Sequence, residues 1–438
     1  MKTPLFTLLL ASSLIPVVPL RAESALNEPP PGFQALFNGK DLTGWFGHAG
    51  EDPRPLFNKS AEELEKIWTA SMSDVNAHWR VENGELVNDG HGLFLTTRKN
   101  FRDFELLIEY KTVPKADSGI YLRGMPQVQI WDATNPAKVS NGEDKGSGGL
   151  WNNKERGLAG KNPSKKMDRP FGQWNQFKIT MIGECVTIVF NGEKVVDSAV
   201  LENYVDRASP VFAEGPIKLQ THGGEIRWRN IFIREIGPDE ANQSLAGRGG
   251  DGFTRLDNGK DLANWAGATA NYEIKDGALQ CKAGKGGVLH TKDEFGDFQV
   301  RLEFKLPPAG NNGLAIRYPG QGDCAYTGMC EIQILDNEHP NYAKLDPRQY
   351  CGSIYGMIAA KRGFLRLTGQ WNLIDVTVKG PAIKVELNGT QIVDGDVSKI
   401  TDFMNGTPHP GKDRPRGFFG LAGHNDPVAF RNVTIKTL

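Results

Sequence analysis

Charge of one sign is what this sequence most lacks. Its 51 lysines and arginines stand against 52 aspartates and glutamates in 438 residues, a formal net charge of −1. A chain so balanced offers no broad electrostatic field to nucleic acid or to an acidic membrane, and neither is expected as a partner. Long apolar runs are also missing. The apolar part of MKTPLFTLLLASSLIPVVPLRAES, at 1–24, is shorter than 18 residues and is interrupted by Pro16 and Pro19, which argues against a membrane anchor. Its basic start, apolar middle and small residue at Ala22 predict a signal peptide over 1–22 and export to a periplasmic or extracellular space. No cysteine closes the apolar run, so a lipidated amino terminus is not expected.

Cysteine is scarce: Cys185, Cys281, Cys324, Cys330 and Cys351 are all there is, with no CxxC pair to suggest a zinc site. In an oxidising compartment Cys324 and Cys330 could close a small loop, with Cys351 as the alternative partner, and an odd count leaves one thiol over. Helical heptads are absent as well. Glycine (51) and proline (26) are plentiful instead, and Asn-Gly pairs interrupt the apolar runs. That pattern favours β structure with many turns.

What the sequence does contain is itself, twice. GFQALFNGKDLTGWFG at 32–47 recurs as GFTRLDNGKDLANWAG at 252–267, with ten identities in sixteen positions. FRDFELLIEYK (101–111) answers FGDFQVRLEFK (295–305), and DSGIYLR (117–123) answers NNGLAIR (311–317). QVQIWD (127–132) pairs with EIQILD (331–336), GQWNQFKIT (172–180) with GQWNLIDVT (369–377), and LQTHGGEIRWRNIFI (219–233) with LAGHNDPVAFRNVTI (421–435). Two domains, 32–236 and 251–438, are therefore expected in tandem, each large enough for its own core. The polar, glycine-rich stretch 237–250 reads as a linker.

Within each copy the apolar period is two. Phe104, Leu106, Ile108 and Tyr110 alternate with polar residues, as do Phe298, Val300, Leu302 and Phe304, which predicts half-buried antiparallel strands. Asn191-Gly192 and Asn388-Gly389 mark tight hairpins. The apolar parity slips at the Arg-Asn pair of both IRWRNIFI and VAFRNVTI, which predicts a β-bulge in each copy. One helix is expected, from the capping-box spacing of Ser60 and Glu63, in an insertion of the first copy. The expectation is an all-β protein of two tandem jelly-roll sandwiches.

The chemistry concentrates at EIQILD. A bulge after Ile334 would bring Asp336 beside Glu331 and Gln333 on one face, a spacing that resembles the E-x-D-x-x-E strand of laminarinase-type glycoside hydrolases. Gln333 stands where that pattern has its middle acid, which departs from a standard retaining mechanism. Arg317 ends the preceding strand and His424 occupies the following LAGH; Arg123 and His222 are their counterparts. An acid, a histidine and an arginine on strands sharing a face would form an acid/base and oxyanion set. Trp131, Trp151, Tyr318, Tyr326 and Tyr355 could stack on a sugar ring, or simply pack. The first copy has Gln127 in place of Glu331, which cannot accept a proton, so catalysis is expected in the second copy. The first would bind substrate or act differently through Gln127, Gln129, Asp132, Trp151 and His222.

GFxxLFNGKDLTGW, DSGIYLRG, QVQIWD/EIQILD, GQWN and LQTHGGEIRWRNIFIREI together resemble the 3-keto-disaccharide hydrolase family, also described as 3-keto-glucoside 1,2-lyase/3-keto-2-hydroxy-glucal hydratase domains. The resemblance covers nearly all the chain after residue 22. It implies a concanavalin-like jelly roll, export, and a 3-keto-sugar or oligosaccharide substrate. It also implies a reaction: a ketone at C3 acidifies the C2 hydrogen, a base removes it, the enolate expels the group at C1, and water adds. That assigns Glu331 or His424 as base, Arg317 or a divalent metal as enolate stabiliser, Asp336 as acid or metal ligand, and Gln333, Tyr318 and Tyr355 as substrate contacts. No cofactor beyond that possible metal is implied. A carbohydrate-binding protein without catalysis is the competing class, because this sandwich is also a lectin fold, and a conventional glycoside hydrolase is the third.

Overall fold

The computed structural model describes residues 26–438; the expected signal peptide, 1–22, lies outside them. Each half of the chain folds as an eight-stranded antiparallel sheet packed on a five-stranded one. In the second half one apolar cluster joins Val300, Leu302 and Phe304 of the larger sheet to Leu314, Ile332, Ile334 and Leu421 of the smaller. Leu106 and Ile108 meet Ile120, Val128 and Leu219 in the same way in the first half. The alternating strand Phe104–Thr112 buries every second side chain, as its period requires.

The turns follow from local chemistry. Asn191 and Gly192 both have positive φ (49° and 90°), as do Asn388 and Gly389 (52° and 77°), the twist that a two-residue hairpin needs. Strand Ile226–Glu235 slips register after Arg229, and Ala429–Thr437 slips at the same place, with Asn230 at φ 50° and Asn432 at φ 53°. Both expected bulges are therefore present. Helix Ala61–His78 starts in a reciprocal cap: Ser60 Oγ accepts from the Glu63 N–H at 3.2 Å, and Glu63 Oε2 accepts from the Ser60 N–H at 2.8 Å.

The stretch read as a linker is different. Pro238–Ala246 is a helix that docks on the larger sheet of the second half, burying Ala241, Asn242 and Leu245. Ala241 and Leu245 share an apolar cluster with Ile182 and Ile236 of the first half and Leu373 of the second. Asn242 donates to Glu303 Oε2 at 3.0 Å, and Arg301 donates to the Ala246 carbonyl at 2.6 Å. This cover explains why Arg301 and Glu303, polar positions of an alternating strand, are buried.

No loop is closed by a Cys324–Cys330 bridge. All five cysteines are free thiols, and every one but Cys185 is buried. Apolar burial pushes Cys351 up to about 12 and raises Cys324 and Cys330 further.

Candidate active site

The five-stranded sheet of the second half runs Trp265–Gly267, Gly286–Phe295, Gly417–His424, Asn311–Tyr318, Cys330–Leu335. The last strand pairs with its neighbour without a slip, from Ile316 opposite Cys330 to Asn311 opposite Leu335. Its period of two sends Ile332 and Ile334 into the core and leaves Glu331 and Gln333 on the outer face. Segment 352–355 runs along its free edge: Gln333 N donates to Ser353 O at 3.0 Å, and Tyr355 N to Glu331 O at 2.9 Å. These neighbours close a cavity of about 290 Å³ over the sheet, lined by Glu331, Gln333, Asn311, Asp323, Tyr326 and His424 among others.

Glu331 is 3% exposed, and its Oε1 receives no hydrogen bond. The nearest ionisable group is His424, whose Nε2 lies 3.5 Å from that oxygen. On the other side the Cys324 thiol approaches Oε2 at 3.7 Å. The carboxylate lies over Gly313, the residue diagonal to it on the next strand, where even a methyl group would overlap it. Facing Glu331 raises the half-exposed His424 above its ordinary value. The contact therefore contributes stability that is full below the ordinary imidazole value and fades as pH rises through the raised one. Around this pair, Gln333 Nε2 donates to Asn311 Oδ1 at 2.9 Å, and Gln349 Nε2 donates to the Tyr355 hydroxyl at 3.1 Å. Burial raises Tyr326, so its hydroxyl stays a hydrogen-bond donor.

Asp323, Cys324 and Glu331 could offer one ligand atom each to a metal ion, all within 4.8 Å of one another. The donor set fits a divalent ion only if the thiol ionises, and its surroundings oppose that. In the structure as it stands, Cys324 is a hydrogen-bond donor to the acid.

Several expected members lie elsewhere. There is no bulge after Ile334, so Asp336 does not join Glu331. It leaves the strand and accepts from the Ala309 N–H at 3.0 Å, fastening the 307–310 turn. Arg317 is buried at a strand end with φ 48°, and its side chain turns away from the cavity. It donates to the carbonyls of Gly296, Gly380 and Arg414 and to Asp297, a structural tie. Arg123 repeats this with φ 52°, donating to Arg102 O, Phe212 O and Asp103. Tyr318 is buried and donates to Gly322 O, outside the cavity. Asp132 accepts from the N–H groups of Lys115 and Thr134, also outside.

The first half has a matching cavity of about 250 Å³, and Gln127, Gln129, Trp131, Trp151 and His222 line it as their positions suggested. Asp117, Glu143, Lys138 and Gln220 line it too, none of them a residue that its motif marks for chemistry. Asp117 was nevertheless visible as the partner of Asn311 in DSGIYLR and NNGLAIR. A larger cavity, about 740 Å³, lies beside the docked helix. Both of its arginines are already paired, Arg301 with Asp375 and Arg431 with Glu303 and Asp239.

The 3-keto-alpha-glucoside-1,2-lyase-like domain matches residues 32–234 and again residues 252–436, and the chain belongs to that family with two copies of its domain. A 3-keto-disaccharide hydrolase of Bacteroides thetaiotaomicron is 25% identical over 229 residues, covering 43% of this chain and 79% of that protein. A solved Parabacteroides distasonis structure, described as a candidate glycosyl hydrolase, is 29% identical, covering 43% of this chain and all of its own, with a TM-score of 0.39. A Bacillus subtilis protein of galectin-like fold is 12% identical, covering 42% of this chain and 94% of its own, with a TM-score of 0.29. Among the described residues no helix is long and apolar enough to cross a membrane.

Proposed function

We propose that the second half cleaves 3-keto-glycosides, and that the protein works after export. The observation that carries this is the Glu331–His424 pair: a buried carboxylate oxygen without a hydrogen bond, 3.5 Å from an imidazole, in a cavity of sugar size. Glu331 takes the C2 proton that the C3 ketone acidifies. The C2 electron pair moves into the enolate, whose oxygen takes a hydrogen bond from the Tyr326 hydroxyl. The C1–O bond then breaks, and protonated His424 gives the departing oxygen its proton. Water adds at C1 and a proton returns to C2, so the net change is hydrolysis. Such a sequence needs one base, one acid and an enolate donor, rather than two acids flanking an oxocarbenium ion, and it accommodates Gln333 as a hydroxyl ligand.

Incubation with 3-keto-lactose in D2O tests the reading. The expected result is release of the second sugar with deuterium incorporated at C2, and no release from unoxidised lactose. Release with C2–H retained would mean ordinary glycosidic hydrolysis, and retention of the sugar without release would mean a lectin. Gly313→Ala probes the geometry. The added methyl group displaces the Glu331 carboxylate, and turnover is expected to fall about a hundredfold, with the circular dichroism of the sheets unchanged. Undiminished turnover would show that the carboxylate does not act from this position.

A further inference from the structure

We infer that the first half carries a second acid–base centre for a neutral sugar, built on a different strand from the one in the second half. Two exchanges between the copies belong together. Glu331 of the second half is Gln127 in the first, and Asn311 of the second is Asp117 in the first. The second half has its carboxylate on the edge strand, Cys330–Leu335, whereas the first has one on the neighbour of its edge strand, Asp117–Leu122. From there Asp117 Oδ2 meets His222 Nδ1 at 3.1 Å, the counterpart of the His424 contact, and Lys138 Nζ approaches the same oxygen at 3.5 Å. The first half therefore has an acid–histidine pair without an acid at 127.

The cavity around this pair has unused hydrogen-bonding capacity. Gln127 and Gln220 line it, each only 6% exposed, and the side-chain oxygen of each receives no hydrogen bond. A buried amide oxygen left without a donor is costly, and sugar hydroxyls supply donors. Trp131 and Trp151 stand edge to face, 5.0 Å between centroids, and give an apolar wall for a ring. Glu51, Asp117 and Glu143 share the lining with Lys138 and His222. Three carboxylates against two cationic groups disfavour an anionic sugar, so the ligand is a neutral one. Asp117 is placed to take a proton and His222 to give one, the same exchange as in the other half; only the choice of a 3-keto substrate rests on the function proposed above.

The test uses the full chain carrying Glu331→Gln, titrated with 3-keto-lactose. Tryptophan emission is expected to change saturably, because Trp131 and Trp151 line this cavity whereas the second is walled by Tyr326, Tyr342 and Tyr355. The response should vanish when Trp151→Phe is added. With its carboxylate already engaged by Lys138, His222 and Gln129, Asp117 is the weaker base. This half therefore accounts only for the residual release, about a hundredth of the wild type or less, which should fall at least about tenfold further on adding Asp117→Asn, a change that installs the residue the second half already has at this position. A missing fluorescence response overturns the sugar site, and residual release indifferent to Asp117→Asn overturns the acid–base assignment. Should the wild type release no sugar at all, the function proposed for the second half fails. The fluorescence response still decides the sugar site, and deuterium exchange at C2 abolished by Asp117→Asn still decides the acid–base pair.

Discussion

Glu331→Gln lowers the turnover of a 3-keto-disaccharide by about 10²–10⁴-fold, the range for removing a general base, and leaves affinity within a few-fold. Glutamine keeps the shape of the side chain over Gly313 and loses only the ability to take a proton. A second readout separates a chemical role from a structural one. The Glu331 carboxylate is the leading cause that raises His424, so the imidazole should titrate in the variant at lower pH, nearer its ordinary value of 6.5. Proton NMR of the ring detects this without any substrate. Turnover within threefold of the wild type would remove Glu331 from the mechanism, and an unmoved His424 titration would show that the two groups do not face one another in solution.

The second large effect is on stability. Arg317→Ala removes the donor for three carbonyls and for Asp297. Asp297 is itself 39% exposed and can turn to water, so most of the loss comes from the carbonyls. A destabilisation of about 3 kcal/mol is expected, which lowers the unfolding midpoint by roughly 6–12 °C in a domain of this size. Arg317→Lys should recover little, because an ammonium on a flexible stem cannot reach the same spread of acceptors. Turnover per folded molecule should be unaltered below the transition. A variant that keeps its midpoint but loses activity would return Arg317 to the chemistry.

That arginine shows where the sequence stops being readable. The strands at 104–112 and 298–305 declare themselves because burial of one face imposes a period of two. The Asn230 and Asn432 bulges do so because the parity visibly shifts. These are local signals. Arg317 and Arg123 were placed on the right strands, but positive φ at each strand end sends the side chain away from the cavity, and residue type does not reveal φ. Asp336 failed for a related reason. Whether a strand bulges is decided by its partner, and here the ladder stays in register while the acid serves a neighbouring turn. Asp117 required knowing that its strand lies beside the one carrying Gln127. The docked helix was signalled, by Pro238 in its first turn and by Asp239 and Glu240 after it. Its polar and glycine content hid those signs behind the look of a tether.

Gly313 and Gly119 are the features with the widest consequence. Each leaves a hole in the sheet surface, filled by the Glu331 carboxylate in one copy and by the Gln127 amide in the other. What the two copies have in common is thus a notch that a side chain from the edge strand fills, with a carboxylate in one copy and an amide in the other.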